Sequence, residues 1–207
     1  MAKVRILSRY FLWAAVCVCV YAGSGYFLAQ VSASDTPYPS DSTSAHRVRL
    51  RAVYLAEVGV REASGSNDGP RVAAYLRYCG LGEGYAWCAA FVCWAYGQAG
   101  VANPRTAWAA ALFPESHLLY QRGQPGRSRT PQQGDVFGIY FANLKRIGHV
   151  GFIDDWRAGS YVVTVEGNTN GAGSREGDGV YRKRRPKSQV YKVADFIDRK
   201  MAGDEEK

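Results

Sequence analysis

Residues 85–100 read YAWCAAFVCWAYGQAG, and this stretch decides the fold of the chain. Nearly every residue from Cys88 to Ala99 is apolar, which predicts a helix buried on most of its sides. Gly100 is suited to ending that helix. Such a helix needs a large core, and the 207 residues can supply one, because 47% are hydrophobic and 13% are aromatic. This composition excludes a disordered, collagen-like or coiled-coil chain.

Helices are predicted before this stretch and strands after it. We expect helices over 47–60, from 71 to Gly80, and over 106–113, the second of them capped by Asn67 or Asp68 with Pro70 in its first turn. Short β-branched and aromatic runs then predict antiparallel strands over 136–141, 147–154, 161–166 and 180–182. The order predicts an α+β domain, with helices packed on a small antiparallel sheet.

The N-terminal segment has the pattern of an export signal. Lys3, Arg5 and Arg9 precede an apolar run over 10–22, and no acidic residue occurs before Asp35. We interpret residues 1–33 as either a cleaved signal peptide or a retained membrane anchor. The chain is therefore predicted to be exported, to the periplasm or cell envelope, either secreted or anchored. Residues 34–46 have linker composition, 47–200 form the predicted domain, and 201–207 form a polar tail.

Charge and cysteine content limit the possible partners of the protein and the state of its thiols. The formal net charge of +8 favours polyanionic partners such as nucleic acid, anionic lipid or an acidic cell wall, without choosing among them. Outside the N-terminal segment the chain has Cys79, Cys88 and Cys93. If two of these pair in an exported protein, one thiol is left free.

Cys88 stands where the buried helix is predicted to begin. Backbone amides at a helix N-terminus stabilise a thiolate and lower its pKa, which suits a nucleophile. From Leu81 to Cys88 the sequence has no Ser, Thr, Asp or Asn to cap those amides. We therefore predict that the Cys88 amide helps to hold the oxyanion of a tetrahedral intermediate. The alternative interpretation is a small, buried, inert side chain.

A base for this thiol is predicted in the strand 147–154. Of the three histidines, His149 lies in the run IGHVGFID, where Gly148 and Gly151 leave open space that favours a substrate groove.

The predicted hairpin gives His149 a partner. If Asp154 pairs with Tyr161 across the turn, His149 falls opposite Glu166, with their Cβ atoms about 4.5–5.5 Å apart. Glu166 would then orient the imidazole or stabilise its charge. Asn168, two residues further, is the alternative for this role. A thiol, an imidazole and a polar orienting group indicate acyl transfer or hydrolysis through a thioester.

Four ordered blocks resemble the CHAP family of papain-like cysteine amidases and peptidases, which is related to the NlpC type. They are YAWCAAFVCW, PQQGDVFGI, IGHVGFI and VEGNTN, and the resemblance covers residues 60–184. It implies a papain-like CHAP fold and cleavage of peptidoglycan, at the muramoyl–alanine bond or within the peptide. On the matching positions it implies a site of Cys88, His149, Glu166 and Asn168.

The predicted partner is peptidoglycan, with no nucleic acid, no cofactor and no metal. We expect Tyr85, Trp87 and Trp156 to contact substrate, and Trp108 to lie mostly in the core. The basic run RKRRPK at 182–187 is interpreted as a solvated strand end. Two alternatives stay open: a non-catalytic envelope component that binds wall peptides, and acyl transfer to an amine instead of water.

Overall fold

The structure is a computed structural model, and it describes residues 42–124, 129–156, 159–172 and 177–198. The predicted signal or anchor, residues 34–41 of the predicted linker, and the predicted tail lie outside the described residues. Residues 42–46, predicted as linker, belong instead to the first helix. Within the described ranges, no helix combines the length and apolar character needed to cross a bilayer.

Among the described residues, three α-helices precede the sheet. They are α1 (Ser42–Ala56), α2 (Pro70–Tyr78) and α3 (Cys88–Gln98). Pro70 begins α2 as predicted, but no side chain caps this helix, because Asp68 accepts hydrogen bonds from the backbone amide and hydroxyl of Ser64. Only a short 3₁₀ helix, Ala109–Leu112, forms within the predicted helix 106–113. Gly100 follows α3 with a φ of 77°, as a terminating glycine does.

Six strands form one antiparallel sheet. They are β1 (Leu118–Gln121), β2 (Val136–Phe141), β3 (Arg146–Asp155), β4 (Tyr161–Thr169), β5 (Gly179–Pro186) and β6 (Lys192–Ala194). Their spatial order is β1-β6-β2-β3-β4-β5, so β3 lies inside the sheet between β2 and β4. The α+β class and the antiparallel sheet are confirmed. The sequence prediction missed β1 and β6, which are short and pair with each other.

The helix α3 lies at the centre of the main core. Eight of its residues are buried, and they pack against the helices and the inner strands of the sheet. Phe91 contacts Tyr75 of α2 and Phe152 of β3 with ring centroids 5.4 and 6.0 Å apart. This packing joins α3 to the sheet and so fixes its first residue relative to β3.

Candidate active site

Cys88 is the first residue of α3 and is 4% exposed. Trp87 precedes it without a side-chain cap for the helix. Within the described parts of the chain, no backbone or side-chain acceptor bonds to the amide of Cys88. The role of this amide as an oxyanion donor stays a prediction.

His149 lies between Cys88 and Glu166. It is buried in β3, and its Nε2 is 2.9 Å from Oε2 of Glu166. Its Nδ1 is buried and has no hydrogen bond of good geometry to any described residue. The Cys88 thiol and the imidazole lie close enough to interact electrostatically. The structure thus brings together three residues that are far apart in sequence.

The two reactive groups change each other's ionisation. Burial raises the pKa of the Cys88 thiol, but the interaction with His149 outweighs burial, and the pKa lies below the ordinary thiol value. Burial lowers the pKa of His149, whereas Cys88 and Glu166 together raise it to about 9. Both shifts favour an anionic sulfur beside a protonated imidazole over the neutral pair.

Glu166 is held by more than His149. Arg185 donates to both of its carboxylate oxygens, from Nε at 2.5 Å and from Nη2 at 2.6 Å, and Thr164 Oγ1 donates to it at 2.5 Å. Burial raises the pKa of Glu166, but the bonds from Arg185 and His149 outweigh it and hold this pKa far below its usual range. Glu166 is therefore a buried anion that contacts both His149 and Arg185.

Sequence reasoning missed Arg185. It belongs to the basic run that we interpreted as a solvated strand end, yet it is 6% exposed. In β5 it pairs with Val162, which places it on the face of the β4–β5 ribbon that also carries Glu166. The burial of Arg185 depends on the pairing of β4 with β5. No local pattern in the basic run distinguishes this arginine from its exposed neighbours.

The predicted register of the hairpin is wrong, although the predicted contact forms. Phe152 pairs with Val165, whereas the predicted register required Val163, a shift of two residues. Since side chains alternate with a period of two, this shift keeps His149 and Glu166 on the same face.

Gly151 explains how the contact survives the shift. The same register, continued by one residue, places Gly151 opposite Glu166, and a Cβ built on Gly151 would lie 2.8 Å from Glu166 Cγ. Glu166 therefore takes the space beside this glycine, and the prediction of an open groove at Gly151 is wrong. Gly148, the other flanking glycine, does line the cavity beside Cys88.

Asn168 does not orient His149. Its Nδ2 donates to Oδ1 of Asn67 at 2.9 Å and to the carbonyl of Gly177 at 3.2 Å. Its Oδ1 is buried without a hydrogen-bond partner among the described residues, so no hydrogen bond joins it to the imidazole. Residue 168 has a φ of 53°, which turns the chain at this point and directs the amide away from the predicted role.

A cavity of about 450 Å³ opens beside Cys88. Tyr85 lines it and is 57% exposed, consistent with the predicted contact to substrate. Trp108, expected in the core, also lines it and is 53% exposed. Cys79 contributes to the same wall, and its free thiol interacts with that of Cys93.

The structure places two of the predicted substrate contacts away from the cavity at Cys88. Trp87 is fully buried in the core, where its Nε1 donates to Oε1 of Glu62 at 2.8 Å. Trp156 contacts Tyr120 with its ring tilted by 59° and the ring centroids 6.0 Å apart, and it lines a separate pocket beside Asp154. Neither tryptophan reaches the cavity at Cys88.

Comparison with known families agrees with this geometry. Residues 80–168 match the family model described as CHAP domain, a range that contains Cys88, His149 and Glu166. No curated protein and no solved structure matches the chain. The family resemblance inferred from the four sequence blocks is confirmed, over a shorter range than 60–184. Residues 80–168 are therefore similar to the CHAP domain, the domain of a family whose general role is the cleavage of peptidoglycan as amidase or peptidase.

Proposed function

We propose that the protein is a cysteine hydrolase that cleaves an amide bond of peptidoglycan. The observation that carries the proposal is the position of His149 between the buried thiol of Cys88 and the carboxylate of Glu166. The CHAP match supplies the class of substrate. The bond is either the muramoyl–alanine amide or a peptide bond of the stem or cross-bridge.

The reaction would proceed through a thioester. The Cys88 thiolate attacks the amide carbonyl, and the backbone amide of Cys88 stabilises the oxyanion. The protonated His149 gives its proton to the nitrogen as the carbon–nitrogen bond breaks, which releases an amine and leaves the acyl group on sulfur. His149, now neutral, takes a proton from water, which attacks the thioester and regenerates the thiolate.

Glu166 and Arg185 act on His149 and not on substrate. Glu166 fixes the ring through Nε2, so that Nδ1 faces the sulfur, and it stabilises the positive charge on the ring. Arg185 holds both oxygens of Glu166 and prevents the carboxylate from rotating. Arg185 is thus a positioning residue that acts through Glu166.

The test is digestion of purified peptidoglycan by the full chain, with the Cys88→Ala variant as control. We expect soluble fragments from the wild type alone. Mass spectrometry of the fragments identifies the bond, because free lactyl groups on muramic acid mark an amidase and split stems mark an endopeptidase. An amine adduct at the new acyl end would mark acyl transfer. The absence of any Cys88-dependent product, on walls of several cross-bridge types, would contradict the proposal and favour a protein that only binds wall peptides.

The proposal includes export, since peptidoglycan lies outside the cytoplasm. The basic and apolar segment over residues 1–33 supports it. Fractionation of expressing cells, followed by mass spectrometry of the protein recovered outside the cytoplasm, tests it. A mature chain beginning at Ser34 indicates a cleaved signal, and an intact chain in the membrane fraction indicates an anchor. Recovery of the intact chain from the cytoplasm alone would contradict export.

A further inference from the structure

Two arginines line the cavity at Cys88. What we infer from them rests on the proposed function. Arg105 comes from the loop after α3, and Arg146 is the first residue of β3. No aspartate or glutamate lines this cavity among the residues that the structure describes. The groove beside the reactive thiol is therefore positively charged.

Each of the two guanidinium groups contacts an aromatic ring and a backbone carbonyl, and neither contacts a described carboxylate. Arg146 lies over the ring of Trp108, with its Cζ 4.1 Å from the ring centroid, and Nη1 donates to the carbonyl of Ile147 at 3.1 Å. Arg105 lies over Tyr78, with its Cζ 4.5 Å from the centroid, and Nε donates to the carbonyl of Tyr78 at 3.2 Å. Each group keeps most of its N–H donors for another partner.

Three buried or half-buried arginines differ in this respect, whereas Arg61, Arg122 and Arg184 are likewise stacked on tyrosine rings but lie outside the cavity. Arg47, Arg129 and Arg185 each form ion pairs with buried carboxylates. Across the described residues, Arg105 and Arg146 have no such pair. An arginine that is stacked on an aromatic ring and unpaired is pre-organised for a planar anion, because its fork of donors matches a carboxylate.

We propose that Arg105 and Arg146 form a carboxylate-binding subsite in the groove. The protein would then select substrates that carry a free carboxylate near the scissile amide over substrates in which that carboxylate is amidated. A carboxamide keeps the shape but loses the charge and one acceptor oxygen. The NH₂ group of the carboxamide would also point a hydrogen-bond donor at the N–H donors of the two arginines. The subsite would therefore distinguish the two forms of one peptide.

Binding to the full-length Cys88→Ala variant tests the subsite without turnover. The probes are two muramoyl pentapeptides that differ only at the glutamyl residue, which has a free α-carboxylate in one and a carboxamide in the other. We expect calorimetry to give at least about tenfold tighter binding of the carboxylate form, as a charged hydrogen bond provides. The preference should disappear with Arg105→Gln and Arg146→Gln added together, and should persist with Arg77→Gln, an exposed arginine of α2 outside the cavity.

The outcomes separate this proposal from the proposed function. Equal affinity for the two peptides, no measurable affinity for either, or a preference that survives the double substitution would overturn the subsite, whatever the wild type does to peptidoglycan. A preference that depends on both arginines, in a protein without Cys88-dependent cleavage, would support the subsite and overturn the hydrolase. Thermal unfolding of each variant checks that a loss of the preference does not come from a loss of the folded structure.

Discussion

Cys88 and His149 determine how the protein should respond to pH. The Cys88 pKa lies below its ordinary value and that of His149 lies at about 9, so the ion pair exists between the two. We expect kcat/KM to rise with the formation of the thiolate, below the ordinary thiol pKa of about 8.5, and to fall near pH 9 as the imidazole loses its proton.

Alkylation of the thiol by iodoacetamide measures the first of these ionisations directly. The rate at Cys88, followed by peptide mass spectrometry to separate it from Cys79 and Cys93, should remain substantial below the ordinary thiol pKa. In the His149→Ala variant this reactivity at low pH should disappear. The same rate profile in both proteins would show that the imidazole does not activate the sulfur.

Glu166→Gln tests whether the carboxylate supports His149. We expect kcat/KM to fall by at least about tenfold, because a carboxamide neither stabilises the imidazolium nor fixes its tautomer in the same way. The alkaline limb should move below pH 9, since Glu166 is one of the groups that raise the pKa of His149. Folding stability should fall as well, because Arg185 loses its buried counterion. An unshifted alkaline limb would contradict the electrostatic role of Glu166.

At the scale of elements, the place of β3 beside β4 depends on a glycine. Gly151→Ala adds a Cβ 2.8 Å from both Glu166 Cγ and the carbonyl oxygen of Val165. We expect overpacking to lower the free energy of unfolding by about 1–3 kcal/mol and to displace Glu166 from His149, with a loss of activity. Urea denaturation and peptidoglycan digestion measure the two effects. Gly171→Ala, with open space around the added Cβ, is the matched control, and equal behaviour of the two variants would contradict the packing argument.

Elements with a strong local signal were predictable from sequence. The apolar run of α3 and the β-branched runs of β2, β3 and β4 appear close to their predicted bounds. The register between β3 and β4 was not predictable, because the pairing shifts between Ile153 and Asp155 and local residue preferences did not reveal this irregularity. β1 and β6 were missed because they are stabilised by pairing with each other and with β2.

In the candidate site, too, residues with a local sequence signal were predictable and residues that depend on long-range packing were not. Cys88, His149 and Glu166 could be proposed because a helix start, a glycine-flanked histidine and a strand alternation are local patterns. Arg185 could not be proposed, because its ion pair depends on which strands pair. The two arginines of the groove could not be proposed either, because their place at the cavity depends on how a loop and a strand meet. The burial of Trp87 and the exposure of Trp108 likewise reflect where α3 and the following loop pack.

At the scale of the whole molecule, a buried ion network ties the first helix to the sheet. Arg47 of α1 contacts Asp135, which precedes β2, at 3.0 Å, and Asp195, which follows β6, at 3.3 Å. Arg129 contacts both aspartates at 2.8 Å. The network joins segments from both ends of the described chain.

Arg47→Met should therefore destabilise the whole domain. Removal of one partner leaves buried carboxylates with too little positive charge, and we expect the free energy of unfolding to fall by about 3 kcal/mol. Arg49→Met, on an exposed position of the same helix, should change it by less than about 0.5 kcal/mol. Urea denaturation of both variants provides the comparison. Equal stabilities would show that α1 is held by its apolar contacts alone.

The division of the site between an early helix and later strands has a consequence for synthesis. The ribosome releases Cys88 before His149, Glu166 and Arg185, so a nascent chain carries a thiol without the groups that activate it. The activity that we propose would become available only when translation has passed β5 and the strands have assembled beside α3. Prematurely terminated products would lack it.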